Sequence, residues 1–156
     1  MTYCHHMMTV NGRRHYDLES TLANSRDFVG SVIAGLDGKA RYSVVLGTLP
    51  PDQGIGDVDL KTWPTEYIQC AGSSAAMTVE MRIVVGGEAT QLVVGRSPEP
   101  RAGEPDVTIP WDEFEVKVFE DEVFDAEEAT EMFAAYLVAA CVPPEFSLRR
   151  LDLRRS

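Results

Sequence analysis

The residues best suited to acid/base or metal chemistry stand at one end of the chain. All three histidines, His5, His6 and His15, lie within the first 15 positions, and Cys4 directly precedes two of them. Imidazole titrates near neutral pH and is the commonest metal ligand, so the Cys-His-His run at 4–6 is the first place to look for a metal or a proton relay. A working site needs ligands held on rigid elements. Residues 1–12 read instead as a poorly ordered extension without an apolar pattern. No metal site and no cofactor is expected. Elsewhere the chain lacks histidine, so a Ser-His-Asp or Cys-His arrangement would have to recruit that arm. No dinucleotide fingerprint, P-loop, nucleophile elbow or HExxH motif occurs, and the Gly-rich DQGIGD at 52–57 has neither the P-loop lysine nor a helix start behind it. Two carboxylates meeting across a sheet, as in glycosidases, are the one catalytic arrangement that motifs leave open, and they call for a sizeable cleft. The chain therefore reads as a non-enzyme.

The three cysteines, Cys4, Cys70 and Cys141, are odd in number, far apart and without a CxxC pair. That spacing speaks against a disulfide framework or a structural zinc site. Cys70 and Cys141 sit in apolar segments and are expected as buried, reduced thiols.

Charge is the feature that stands out. The chain carries 25 acidic and 14 basic residues, a net charge of −11. Nucleic acid and anionic membrane are repelled by such a surface, whereas a basic protein partner is not. Between Asp112 and Glu131 there are ten acidic residues and a single basic one, Lys117. Asp125, Glu127 and Glu128 suit the positive end of a helix dipole, and Glu113 and Glu115 suit a solvent-facing strand. The run Glu120-Asp121-Glu122 precedes the helix cap and has no comparable local duty. Trp63 and Trp111 each adjoin a proline in a loop, a position shared by lids over a core and by interface anchors. The candidate partner-binding residues are thus Asp112, Glu113, Glu115, Glu120, Asp121, Glu122, Trp63 and Trp111. The competing reading is a plain solvated face.

The elements that must position these residues follow from periodicity. A length of 156 residues with 44% hydrophobic content suits one domain, placed at 13–156. No apolar run of 18 residues is present and the N-terminus has no signal-peptide core, so a cytoplasmic protein is expected. Met8 is an alternative start. Apolar spacing from Leu18 to Leu36 (Leu18, Leu22, Val29, Val32, Ile33, Leu36) predicts a helix capped by Asp17 or Ser20 and weakened by Gly30 and Gly35. Strands are predicted at 41–49, 66–71, 77–85 and 90–95, with a hairpin at Gly86-Gly87, and a long loop spans 50–64. Residues 107–109 and 113–119, flanking Pro110, form one interrupted strand or two short ones. A capping box of Asp125 and Glu128 opens a second helix whose apolar face is Ala129, Met132, Phe133, Tyr136, Leu137 and Ala140. Pro143-Pro144 ends it, and 146–153 adds a last strand. The fold class is α+β: a mainly antiparallel sheet of about five or six strands, with an N-terminal and a C-terminal amphipathic helix packed on it.

The C-terminal third, from Ile109 to Leu153, runs from a strand through an acidic helix start and an aromatic-bearing helix to a Val-Pro exit and a final strand. In this it resembles the immunity proteins of bacterial polymorphic and contact-dependent toxin systems, in particular the Imm1-like group that accompanies deaminase-type toxins in actinobacteria. That family usually carries a tryptophan in the last strand, where this chain has FSLRRLDL. The resemblance implies a cytoplasmic bacterial protein that neutralises a cognate toxin by stoichiometric binding, with an acidic face entering a basic cleft. Only three of the 14 basic residues are lysine, an arginine bias in keeping with a high-GC bacterial gene. Two other readings stand beside it. One is a small-ligand module or small enzyme with a pocket between sheet and helices, using polar groups such as Tyr67, Gln69, Glu80 or Arg82. The other is a secretion-associated or structural adaptor that forms a homodimer through an exposed strand.

Overall fold

A computed structural model describes residues 6–18, 22–50, 53, 55–62, 64–97, 103–111 and 113–151. The stretch read as a loose extension is the first strand of the sheet, from residue 6 onward. His6–Val10 (β1) pairs with Arg14–Leu18 (β2) across a turn at Asn11 and Gly12, which have φ of +56° and +66°. Two successive left-handed residues give a turn whose twist matches that of the flanking strands, and Asn-Gly is the residue pair that adopts it most readily. Apolar periodicity in 1–12 is too short to mark the strand, whereas the Asn-Gly pair marks the turn. Met7 and Met8 are both buried, because β1 lies between two other strands and its two faces are covered.

The first helix, Leu22–Ala34 (α1), is shorter than the spacing predicts. Leu18 closes β2, and Leu36 is buried just beyond the helix. Asp17 belongs to β2 and is no cap: its Oδ2 accepts from the Ile55 amide at 3.4 Å. Ser20 lies outside the described residues. The next four strands follow the reading closely: Ser43–Thr48 (β3), Tyr67–Ser73 (β4), Ala76–Val85 (β5) and Glu88–Gly95 (β6). The residues around Pro110 make two strands, Val107–Trp111 (β7) and Phe114–Val118 (β8), paired with each other in a separate small sheet. Ala126–Ala139 (α2) and Ser147–Arg150 (β9) complete the chain.

Among the described residues there are thus nine strands, more than predicted, within the expected α+β class. Seven form the main sheet in the order β2-β1-β3-β4-β5-β6-β9, antiparallel at every pairing. One face of the sheet (Met8, Val44, Leu46, Ile68, Cys70, Val79, Val94) packs against Val29 and Ile33 of α1 and Ala129, Met132, Phe133 and Tyr136 of α2. Burying each such large apolar side chain contributes about 1.5–3 kcal/mol. Gly30 weakens α1 as a helix but lets α2 come close, since a Cβ there would stand 3.0 Å from Thr130 Cγ2. The capping box is present: Asp125 Oδ1 accepts from the Glu128 amide at 2.9 Å, and Glu128 Oε1 accepts from the Asp125 amide at 3.1 Å. Cys70 lies in the core, where burial pushes its thiol up to about 12. Cys141, expected to be buried, is exposed just past α2. No helix among the described residues is long and apolar enough to cross a membrane.

The opposite face of the sheet carries the β7–β8 hairpin. Val93, Ile109 and Val118 form a small second core there, with Val107 and Val116 packed against it. The hairpin sits directly on Gly72, whose φ is +130° and whose missing Cβ would stand 2.9 Å from Ile109 Cγ2.

Candidate interaction surface

The acidic run divides into carboxylates that build the fold and carboxylates that face solvent. Residues 120–122 form a single 3-10 turn between β8 and α2. Glu122, expected on the surface, is 3% exposed. Its Oε1 accepts from the Phe119 amide at 2.8 Å and from Arg149 Nη2 at 2.9 Å, and its Oε2 accepts from Arg149 Nε at 2.8 Å. The guanidinium also lies over the Phe119 ring, 5.1 Å from its centroid. Glu122 therefore has a structural duty that the local sequence does not show, because its cation comes from β9. A buried carboxylate without such a partner would be costly. Glu128 and Glu131 are likewise taken up, by Arg96 and Arg26. Arg96 reaches both oxygens of Glu128 and stacks on Phe124, 4.6 Å from the ring centroid.

Glu113, Glu115 and Glu120 remain exposed, and Asp121 is half-buried. Glu115 and Lys117 lie on the outward side of β8, whereas Val116 and Val118 turn towards the sheet. Phe114, between Glu113 and Glu115, is 60% exposed at the hairpin end, and the strand register places Trp111 opposite it. Nothing in composition singles out Phe114. Its position in the alternation, two residues before the half-buried Val116 and on the same side of the strand, is the signal that could have found it. Asp112 and Trp63 lie outside the described residues, as does the side chain of Trp111.

The hairpin and the turn after it are held firmly. Beyond Gly72 and the Glu122–Arg149 pair, Phe124 and Met77 exchange two backbone hydrogen bonds of 2.8 Å, which stitch the segment before α2 to the start of β5. The Arg96 amide donates to Asp121 O at 2.9 Å. A backbone held this firmly has little freedom of its own left to lose on any docking to this surface.

The polar groups named for a ligand pocket do share one face. Tyr67 is paired with Arg82 and Gln69 with Glu80, all on the side of the sheet away from the helices and all half-buried. Gln91 Nε2 donates to Glu80 Oε1 at 3.3 Å, and Arg82 Nε is buried without a hydrogen-bond partner. Burial raises the Glu80 carboxyl above its ordinary range, the Gln91 hydrogen bond and the Arg149 charge oppose this, and the Glu122 charge adds to it. A carboxyl raised above its unfolded value of 4.5 binds more protons in the native state, so the stability it supports at low pH is lost as pH rises through that window. Glu80→Gln should then raise the thermal midpoint at pH 7 and leave it nearly unchanged at pH 4. An equal shift at both pH values would count against a desolvated Glu80. Among the described residues no group of three or more His, Cys, Asp or Glu is placed to hold a metal ion. His15 Nδ1 instead lies 2.9 Å from Thr9 Oγ1 on the neighbouring strand.

No family model, no curated protein and no solved structure matches this chain.

Proposed function

We propose that the chain is a non-catalytic protein-binding domain that engages a basic partner through the β7–β8 hairpin and the turn after it. The observation that carries this reading is the hairpin end: an exposed Phe114 between exposed Glu113 and Glu115, with Glu120 close behind in sequence. An aromatic anchor flanked by like charges is a suitable docking element, since the ring supplies buried area and the carboxylates steer encounter and reject wrong partners. Its most specific form is an immunity protein that blocks a cognate bacterial toxin by stoichiometric binding, which follows from the resemblance of 109–153 to that class.

The test is a pull-down with the tagged chain at low and moderate salt, followed by binding kinetics on any protein recovered. One basic protein at near-equal stoichiometry is the expected catch. The triple reversal Glu113→Lys, Glu115→Lys, Glu120→Lys should slow association roughly 10- to 1,000-fold, and Phe114→Ala should mainly speed dissociation. Recovery of the bait alone, or a partner indifferent to both variants, would retire the reading. A small-ligand module on the polar sheet face is the second reading, favoured by the unpartnered Arg82 Nε among Tyr67, Gln69 and Glu80.

A further inference from the structure

The cations of this acidic chain are not evenly spent. Arg26, Arg96 and Arg149 each hold a carboxylate. Arg13, Arg14 and Arg41 hold none among the described residues, yet all three line one hollow of about 540 Å³. The hollow lies at the β1–β2 turn, beside Ser31 and Val32 of α1 and Ala40 of the loop that follows it. Its apolar wall is Val10, Tyr16 and Val32, and the Tyr16 ring is held edge-on by Phe28 at a centroid distance of 5.5 Å.

Asn11 fixes the arrangement. Its Nδ2 donates to Ala40 O at 2.7 Å, and its Oδ1 accepts from the Tyr42 amide at 2.8 Å and the Ser43 amide at 3.3 Å. The turn that bears Arg13 and Arg14 is thereby tied to the loop that bears Arg41. Asp37 spends Oδ1 on the amides of Lys39 and Arg41, at 2.8 and 3.0 Å, which shapes the same loop. Three arginines lining one hollow on a tied frame make a multiply charged donor set, the chemistry that suits a phosphate.

We propose that this hollow binds a phosphorylated small molecule, its phosphate between Arg13, Arg14 and Arg41 and its carbon body on Val10, Tyr16 and Val32. The volume falls in the range of small-molecule sites and exceeds what a bare anion needs. A nucleic-acid strand is disfavoured as occupant, because a polyanion running past the hollow would meet the chain's net charge of −11. The site is independent of the partner-binding hairpin and stands or falls without it.

The test is titration of the full chain with AMP and with inorganic phosphate, by calorimetry and amide chemical shifts, at ionic strength held constant with chloride. Expected are saturable one-site binding, tighter for AMP than for phosphate, and shifts centred on residues 10–16, 31–32 and 39–42. Arg13→Gln with Arg41→Gln should weaken AMP binding roughly 10-fold or more, the loss expected for charge-assisted hydrogen bonds, while Arg150→Gln should not. All three arginines are exposed, so the variants should keep the wild-type circular dichroism. If the double variant fails to fold, Arg14→Gln gives the same reading alone. No saturation at millimolar AMP, or binding unchanged in the variants, overturns the site, and equal affinity for phosphate and AMP overturns the role of the apolar wall.

Discussion

Arg149→Ala is expected to cost about 3–5 kcal/mol of folding stability, the usual loss when one member of a buried ion pair is removed. For a domain of this size that lowers the thermal midpoint by on the order of 10 °C. The Glu122 side chain is 4% exposed and that of Arg149 18%, so water cannot stand in for the lost guanidinium. The variant leaves Glu122 buried with the Phe119 amide as its remaining donor. Replacing both partners, Glu122→Met with Arg149→Met, should recover much of the loss, because no charge is then stranded. Urea and thermal unfolding of the two variants decide the matter. A loss of less than about 1 kcal/mol for Arg149→Ala would mean that the turn relaxes and lets Glu122 reach solvent.

The second large effect is at Gly72. An added Cβ would stand 2.5 Å from Ala76 O and 2.9 Å from both Met77 Cα and Ile109 Cγ2, at a φ of +130° that side chains rarely adopt. Backbone strain of about 1–3 kcal/mol and overpacking of a similar size put Gly72→Ala on the order of 4 kcal/mol below the wild type. Two of the three contacts are backbone of β5 and cannot move without breaking the sheet. The Ile109 side chain can, so the hairpin should lift. Hydrogen exchange should then show faster amides in 107–118 than in β3–β5, alongside a lower urea midpoint. Under the proposed function, partner binding should weaken as well, although Gly72 lies beneath the recognition edge and touches no partner. Uniform exchange across both sheets would show that the hairpin is no separate unit.

The Glu122–Arg149 pair and the Gly72–Ile109 contact each join distant parts of the chain, and no local sequence signal marks such contacts. Helix α2 was legible because its capping box and its apolar face are local signals, and β5 because its residues alternate. The roles of the acidic residues were not legible. Glu120 and Glu122 are neighbours of the same type, but only the second meets Arg149, 27 positions later. Glu131 meets Arg26 across a separation of 105 residues. Counting charges within a window gives both residues the same weight. The β1–β2 hairpin differs, since Asn11-Gly12 is a local turn signal that stands in the sequence itself. That Arg13, Arg14 and Arg41 line one hollow depends on hydrogen bonds between Asn11 and residues some 30 positions further along the chain, which no spacing rule captures.

The pairing of β9 with β6 also bears on how the protein comes into being. A chain made from its N-terminus has β1 to β6 available for pairing well before residues 147–150 exist. During that interval Glu122 lacks the Arg149 guanidinium that holds it in the folded chain, and the hairpin before it lacks that clamp. Arrival of Arg149 closes both together. A nascent chain short of β9 should therefore carry Glu113, Glu115 and Glu120 next to a turn that lacks the Arg149 clamp, and under the proposed function it should bind the partner more weakly than the finished chain.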